Sequence, residues 1–148
     1  MRPHITVITL GVLDLERALT FYRDGLELKT DGIIGTEFEL EFEYGSVAFF
    51  DLQSGLKLAL WEYKSIAHDT GLPLHRGNTS TNLTIGHNVS SHEEVDWIIR
   101  QASQAGARII KPACETFYGG YAGYFSDLDG HLWEVVYNPQ WLESGRDE

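Results

Sequence analysis

The feature that most constrains this chain is a repeat inside it. Tyr44-Gly45 precedes Val47-Ala48-Phe49-Phe50 and then Gly55-Leu56-Lys57-Leu58-Ala59. Tyr118-Gly119 precedes Tyr121-Ala122-Gly123-Tyr124-Phe125 and then Gly130-His131-Leu132-Trp133-Glu134. An internal repeat restricts the fold strongly, because each half must bury the apolar face of its sheet against its copy. The expected architecture is α+β: paired βαβββ modules whose two curved mixed sheets surround a central cavity, with helices on the outer faces.

The patterning along each half agrees with that plan. Ile5 to Val12 is apolar and β-branched, as a strand would be. Asp14 occupies a helix N-cap position, and Leu15, Ala18, Leu19 and Tyr22 follow at three- and four-residue spacing before Gly25. Glu37 to Glu43 alternates acids with Phe38, Leu40 and Phe42, and reads as a half-exposed strand. Ser46 to Leu52 and Leu56 to Tyr63 are two further strands around the turn Gln53-Ser54-Gly55.

In the second half, Thr81 to Val89 reads as a strand, and Ser91 with Glu94 as a capping box. Val95, Ile98, Ile99 and Ala102 form the helix face that Gly106 ends. Ala107 to Lys111 is a short strand stopped by Pro112. Tyr121 to Ser126 and His131 to Tyr137 flank the turn Asp127-Leu128-Asp129-Gly130. The predicted organisation is module 1 over 1–64, a linker over 65–80 with no apolar period, module 2 over 81–139 and an acidic tail over 140–148, all one structural domain.

Composition narrows the function classes. The 148 residues include 11 basic and 22 acidic side chains, a net charge of −11 that repels phosphate polyanions. Nucleic acid and anionic membrane are therefore not expected partners. No apolar run approaches the ~20 residues of a membrane span. Met1-Arg2-Pro3-His4 leads straight into the first strand without the layout of a secretory signal. The single cysteine, Cys114, leaves no internal disulfide and no multi-cysteine metal site. A cytoplasmic protein is the expectation.

The segment from Tyr118 to Pro139, with its Gly-Tyr-Phe-Ser-Asp-Leu-Asp-Gly-His-Leu-Trp-Glu run, resembles the C-terminal signature of the vicinal oxygen chelate superfamily (glyoxalase I, bleomycin-resistance proteins, extradiol dioxygenases). Leu10-Gly11-Val12-Leu13-Asp14 with Phe21-Tyr22 is similar to its first module. The likeness covers roughly Ile5 to Pro139 and implies the fold. It says less about activity, since that superfamily holds isomerases, lyases, dioxygenases and metal-free binding proteins.

The resemblance supplies a test for metal. Metal-dependent members carry His, Glu or Gln at four inward positions, one on the first and one on the last strand of each module. Counting from Val12 and Val89, and from Gly55 and Gly130, those positions fall at Val7, Ala59, Thr84 and Glu134. Only Glu134 is a strong ligand. A shift of two keeps the same face and brings in Ile5, Thr9, Asn82, Gly86, Lys57 and Trp61, of which Asn82 alone is a weak donor. One carboxylate and one amide do not hold a transition metal, so no cofactor is expected and a divalent metal is disfavoured. Glu134 has two readings. It is either a carboxylate held by a tyrosine or by Thr84, or a general base facing a substrate hydroxyl or amine.

Other chemistries lack their residues. His87 shares parity with the helix-facing side, and His4 and His131 are out of phase with the cavity positions. His92 sits in a first helical turn, and His68 and His75 lie in the linker. There is no Gly-x-Ser-x-Gly elbow, and Glu115 beside Cys114 disfavours a thiolate. The expected cavity wall is Val7, Thr9, Phe50, Ala59, Trp61, Asn82, Thr84, Tyr118, Tyr121 and Tyr124, with Glu134 the one candidate catalytic residue; Trp133, of opposite parity, should pack under a helix.

An apolar pocket with a few polar groups suits a small molecule. The expected function is a bleomycin-resistance-like protein binding a small aromatic or hydrophobic metabolite or drug without the catalytic metal. The alternative is a lyase, isomerase or dioxygenase of the same superfamily using Glu134, with or without a divalent metal. A homodimer is the expected assembly.

Overall fold

In the computed structural model, residues 1–35, 45–74 and 83–142 are described below. The chain divides into two compact units, Met1–Gly77 and Asn78–Glu148, so the boundary falls inside the segment read as a linker.

The first unit contains β1 (Val7–Val12), α1 (Leu15–Leu19), β2 (Thr30–Ile34), β3 (Val47–Asp51), β4 (Lys57–Glu62) and α2 (Tyr63–Thr70). Its sheet has the order β1-β4-β3-β2, with β1 parallel to β4 and the other pairs antiparallel. Asp14 caps α1 by accepting from the Arg17 backbone N–H at 3.0 Å. The helix then widens into a π-helical stretch over Thr20–Gly25, where the Leu26 N–H reaches the Phe21 carbonyl. Leu15, Ala18, Leu19, Phe21 and Tyr22 are buried against Leu10, Val12, Phe50, Leu58 and Leu60. This is one face of the sheet under one face of the helix, and period 2 meets period 3.6 as the sequence pattern requires.

The second unit repeats the plan with β5 (Thr84–Val89), α3 (His92–Gln104), β6 (Arg108–Glu115), β7 (Tyr121–Ser126) and β8 (Leu132–Tyr137), followed by α4 (Pro139–Leu142). Its sheet order is β5-β8-β7-β6, again with one parallel pair, β5 with β8. Val95 and Ala102 of α3 are fully buried, as the spacing predicts. The Ser91 hydroxyl accepts from the Glu94 N–H at 3.1 Å. The Glu94 carboxylate, however, reaches one residue further than a capping box and takes the Ser90 N–H and hydroxyl.

Four expectations are corrected. The segment expected to be a linker over 65–80 begins within α2, which occupies 63–70 and ends at Gly71, where φ is 75°. Gly71 followed by Pro73 is a helix-stop signal, and Ser65 is buried. β6 does not stop at Pro112: it continues to Glu115, with register shifts between Ile109 and Lys111 and between Lys111 and Cys114. Proline is tolerated there because β6 is an edge strand and the bulges release its ladder position. The acidic tail begins with α4, whose Gln140 N–H is accepted by the Asn138 side chain at 3.1 Å. A second strand, β2, forms at 30–34 where none was expected; the strand read at 37–43 lies outside the described residues. No helix among the described residues is long and apolar enough to cross a membrane.

Candidate functional site

Strand pairing decides which side chains share the sheet face away from the helices. In the first unit, Thr9 pairs with Ala59 and Ala59 with Phe49. Val7, Thr9, Lys57, Ala59, Trp61, Phe49 and Asp51 therefore stand on one face, opposite Leu10, Leu58 and Phe50. Val7 and Phe49 are 42% and 37% exposed, large values for apolar side chains. Ala59 lies on this face but is covered, at 1% exposure. At the far end, the Tyr63 ring and Ile66 of α2 lie over Gly11, where a side chain would collide with the ring.

In the second unit, Glu134 pairs with Gly86 on one side and Tyr124 on the other. Thr84, Gly86, Asn88, Ala122, Tyr124, Glu134 and Val136 share this face by alternation. Thr9 and Gly86 are thus the cross-strand partners of Ala59 and Glu134. Val7 and Thr84 sit two residues away on the same faces, and the matching pairings in both units support the repeat alignment.

The central polar feature is a single hydrogen bond. The Tyr124 phenol donates to Glu134 Oε2 at 2.7 Å, with both side chains half-buried. That bond, with partial burial and the nearby carboxylate charge, pushes the Tyr124 pKa up to about 12. The phenol therefore remains protonated at neutral pH, and the carboxylate has a fixed donor. Among the described residues Tyr124 supplies the one hydrogen bond seen to Glu134, which leaves the carboxylate with further capacity to accept.

Two expected cavity residues lie elsewhere. Phe50 is fully buried on the helix side, its ring 6.0 Å from Tyr22. Its neighbour Phe49 takes the open face, because the strand runs one residue out of phase with the expected placement. Tyr121 also turns to the helix side: its phenol donates to Asp96 of α3 at 2.6 Å and its ring lies 4.6 Å from His92. That bond raises its pKa to about 12. Tyr118 sits in the β6–β7 turn, edge-on to Phe117. Asn82 lies outside the described residues. Asn88 went unnoticed in the sequence, although its parity with Thr84 places it on the Glu134 face.

Three histidines face neighbouring elements, and two of these are paired with an acid. His87 turns toward α3, where desolvation lowers its pKa against the pull of the Glu94 carboxylate. His92 contacts Glu115 at 3.1 Å, and His131 contacts buried Asp127 at 2.6 Å. Trp133 stacks on Phe125 on the helix side, as its parity predicts. Among the described residues no three His, Cys, Asp or Glu side chains converge on a point that a metal would occupy. Val7, Ala59 and Thr84 offer no strong donor, and one carboxylate does not make the superfamily's metal-ligand set, so these residues do not fit it.

The glyoxalase/bleomycin resistance protein/dioxygenase superfamily model matches residues 3–135. A glyoxalase-related enzyme from Fulvimarina pelagi is 30% identical, with a TM-score of 0.76 over 93% of this chain and 89% of that one. A glyoxalase/bleomycin resistance protein/dioxygenase from Nocardioides is 25% identical, with a TM-score of 0.71 over 93% and 84%. The genomically encoded fosfomycin resistance protein FosX from Listeria monocytogenes shares the fold at 24% identity, with a TM-score of 0.66 over 93% and 95%. No curated protein matches the chain.

Proposed function

From the premise that this chain belongs to the glyoxalase/bleomycin resistance protein/dioxygenase superfamily, we propose that it binds a small aromatic or hydrophobic metabolite or drug on its open sheet faces, without a catalytic metal. The observation that carries this reading is the Tyr124–Glu134 bond, which gives the lone strong donor a phenol as partner, while Val7, Ala59 and Thr84 take the other positions. Apolar walls with one oriented carboxylate suit a ligand that presents an O–H or N–H to the Glu134 carboxylate. Elemental analysis of protein purified without added metal, and again after incubation with Ni, Zn, Fe(II) and Mn, tests the metal-free half. Less than stoichiometric retention is expected, and one equivalent per chain would overturn it.

A second reading is an enzyme of the same superfamily, a lyase, isomerase or dioxygenase. It is favoured by the half-buried Glu134 carboxylate, which a single phenol donor holds in place, and by the likeness to the Fulvimarina pelagi enzyme. Glu134 would then take a proton from substrate as general base, while Tyr124 orients its carboxylate. Turnover of a vicinal-oxygen substrate that Glu134→Gln abolishes would decide for this reading. A homodimer in the cytoplasm is part of the proposal, and sedimentation of the full chain tests the assembly.

A further inference from the structure

The open face of the first unit carries a pocket of about 470 Å³ at the ends of β2, β3 and β4, within the size range of small-molecule sites. Phe49 and Ile34 form its apolar surface, and Lys29, Asp31, Asp51 and Lys57 surround it. Ile34 is 48% exposed, and together the two apolar side chains leave an uncovered patch beside four charges. The chain carries twice as many acids as bases, yet here two of its four lysines meet two aspartates and the local charge balances. Lys57 and Asp51 form an exposed ion pair, which is worth little by itself and opens readily to a competing ligand. Thr30 is already committed: its hydroxyl donates to the Phe49 carbonyl at 2.6 Å and accepts from the Gly32 N–H at 3.1 Å. Recognition is left to the charged groups and the apolar patch.

We propose that this pocket binds a free α-amino acid with an aromatic or large apolar side chain, as its zwitterion. The ammonium and carboxylate of such a ligand sit close together and can take the place of the Asp51–Lys57 contact, the ammonium facing Asp51 and the carboxylate facing Lys57. Its side chain covers Phe49 and Ile34, while Lys29 and Asp31 enclose the second side. A ligand of single charge leaves one member of the Asp51–Lys57 pair unmatched. All of its lining residues lie in the first unit, and Glu134 is not among them.

Amide chemical shifts of the 15N-labelled full chain, titrated with L-phenylalanine, 3-phenylpropionate and phenethylamine, test the proposal. L-phenylalanine is expected to shift the Gly32, Phe49 and Lys57 amides at millimolar concentration. The two singly charged analogues should bind at least about tenfold more weakly, equivalent to about 1.4 kcal/mol. Lys57→Gln should abolish the shifts while the remaining spectrum stays folded, and Glu134→Ala should leave them unchanged. Equal binding of either analogue, no shift at these amides, or loss of binding in Glu134→Ala would each overturn the assignment. The Glu134→Ala arm also separates a failure here from a failure of the reading centred on that carboxylate.

Discussion

At the residue scale, the Tyr124 phenol and Glu134 carboxylate are coupled through one 2.7 Å bond. Removing the acceptor in Glu134→Ala should let the Tyr124 pKa fall from about 12 toward its ordinary 10.0, read by alkaline absorbance titration. Tyr121, held up separately by Asp96, should keep its high value and serves as the internal comparison. The folded protein binds these phenolic protons more tightly than the unfolded chain does. Their contribution to stability is therefore present below pH 10 and declines as pH rises toward 12. Adjacent phenylalanines offer a second residue-level test. Phe50→Ala should cost about 3–5 kcal/mol in urea unfolding, because it empties a fully buried site. Phe49→Ala, from the open face, should cost about 1 kcal/mol. Equal costs would mean the strand's two faces are assigned wrongly.

At the element scale, two glycines show how differently a missing side chain is used. A Cβ at Gly120 would stand 2.4 Å from the Tyr137 carbonyl, a backbone atom held in β8. At Gly11 the obstacle is the Tyr63 ring at 2.7 Å, a side chain at the start of α2 rather than backbone. Gly120→Ala is expected to destabilise by about 3 kcal/mol, at the upper end of overpacking costs, and Gly11→Ala by about 1 kcal/mol. Thermal unfolding of both variants checks the order, and a larger loss at Gly11 would contradict it. The cap of α3 has its own pH signature. The Ser90 backbone N–H and then its hydroxyl hold the Glu94 pKa below its ordinary value. That support is present above the ordinary carboxylate pKa and is lost as pH falls through the lowered one.

At the scale of the whole molecule, the charge of −11 opposes compaction, because like charges brought together by folding repel. Exposed charges are screened within about 10 Å at 0.1 M salt. The melting temperature should therefore rise as sodium chloride is raised from low to physiological concentration. A fall would mean that specific ion pairs outweigh the net repulsion. The two units carry the same strand order and the same single parallel pair, so the duplication seen in the residues is a duplication of folding units.

The sequence by itself determined the repeat, the module plan and the helix faces. Apolar periodicity and turn glycines are local, and Leu15, Ala18, Leu19, Tyr22 and Val95 needed no tertiary knowledge to be placed in the core. The family resemblance pointed to positions Val7, Ala59, Thr84 and Glu134, and their residue types are read directly from the sequence. Tertiary structure decided the rest. Phe50 and Tyr121 changed faces because a register step of one residue inverts a strand, and only the pairing of β3 with β4 and of β7 with β6 and β8 fixes that step. α2 escaped notice because a helix of eight residues with few apolar side chains takes its stability from packing on β1 and β4 rather than from its own pattern. The partner of Glu134 is a cross-strand contact between residues ten apart, and alternation alone could not choose Tyr124 over Tyr118 or Tyr121.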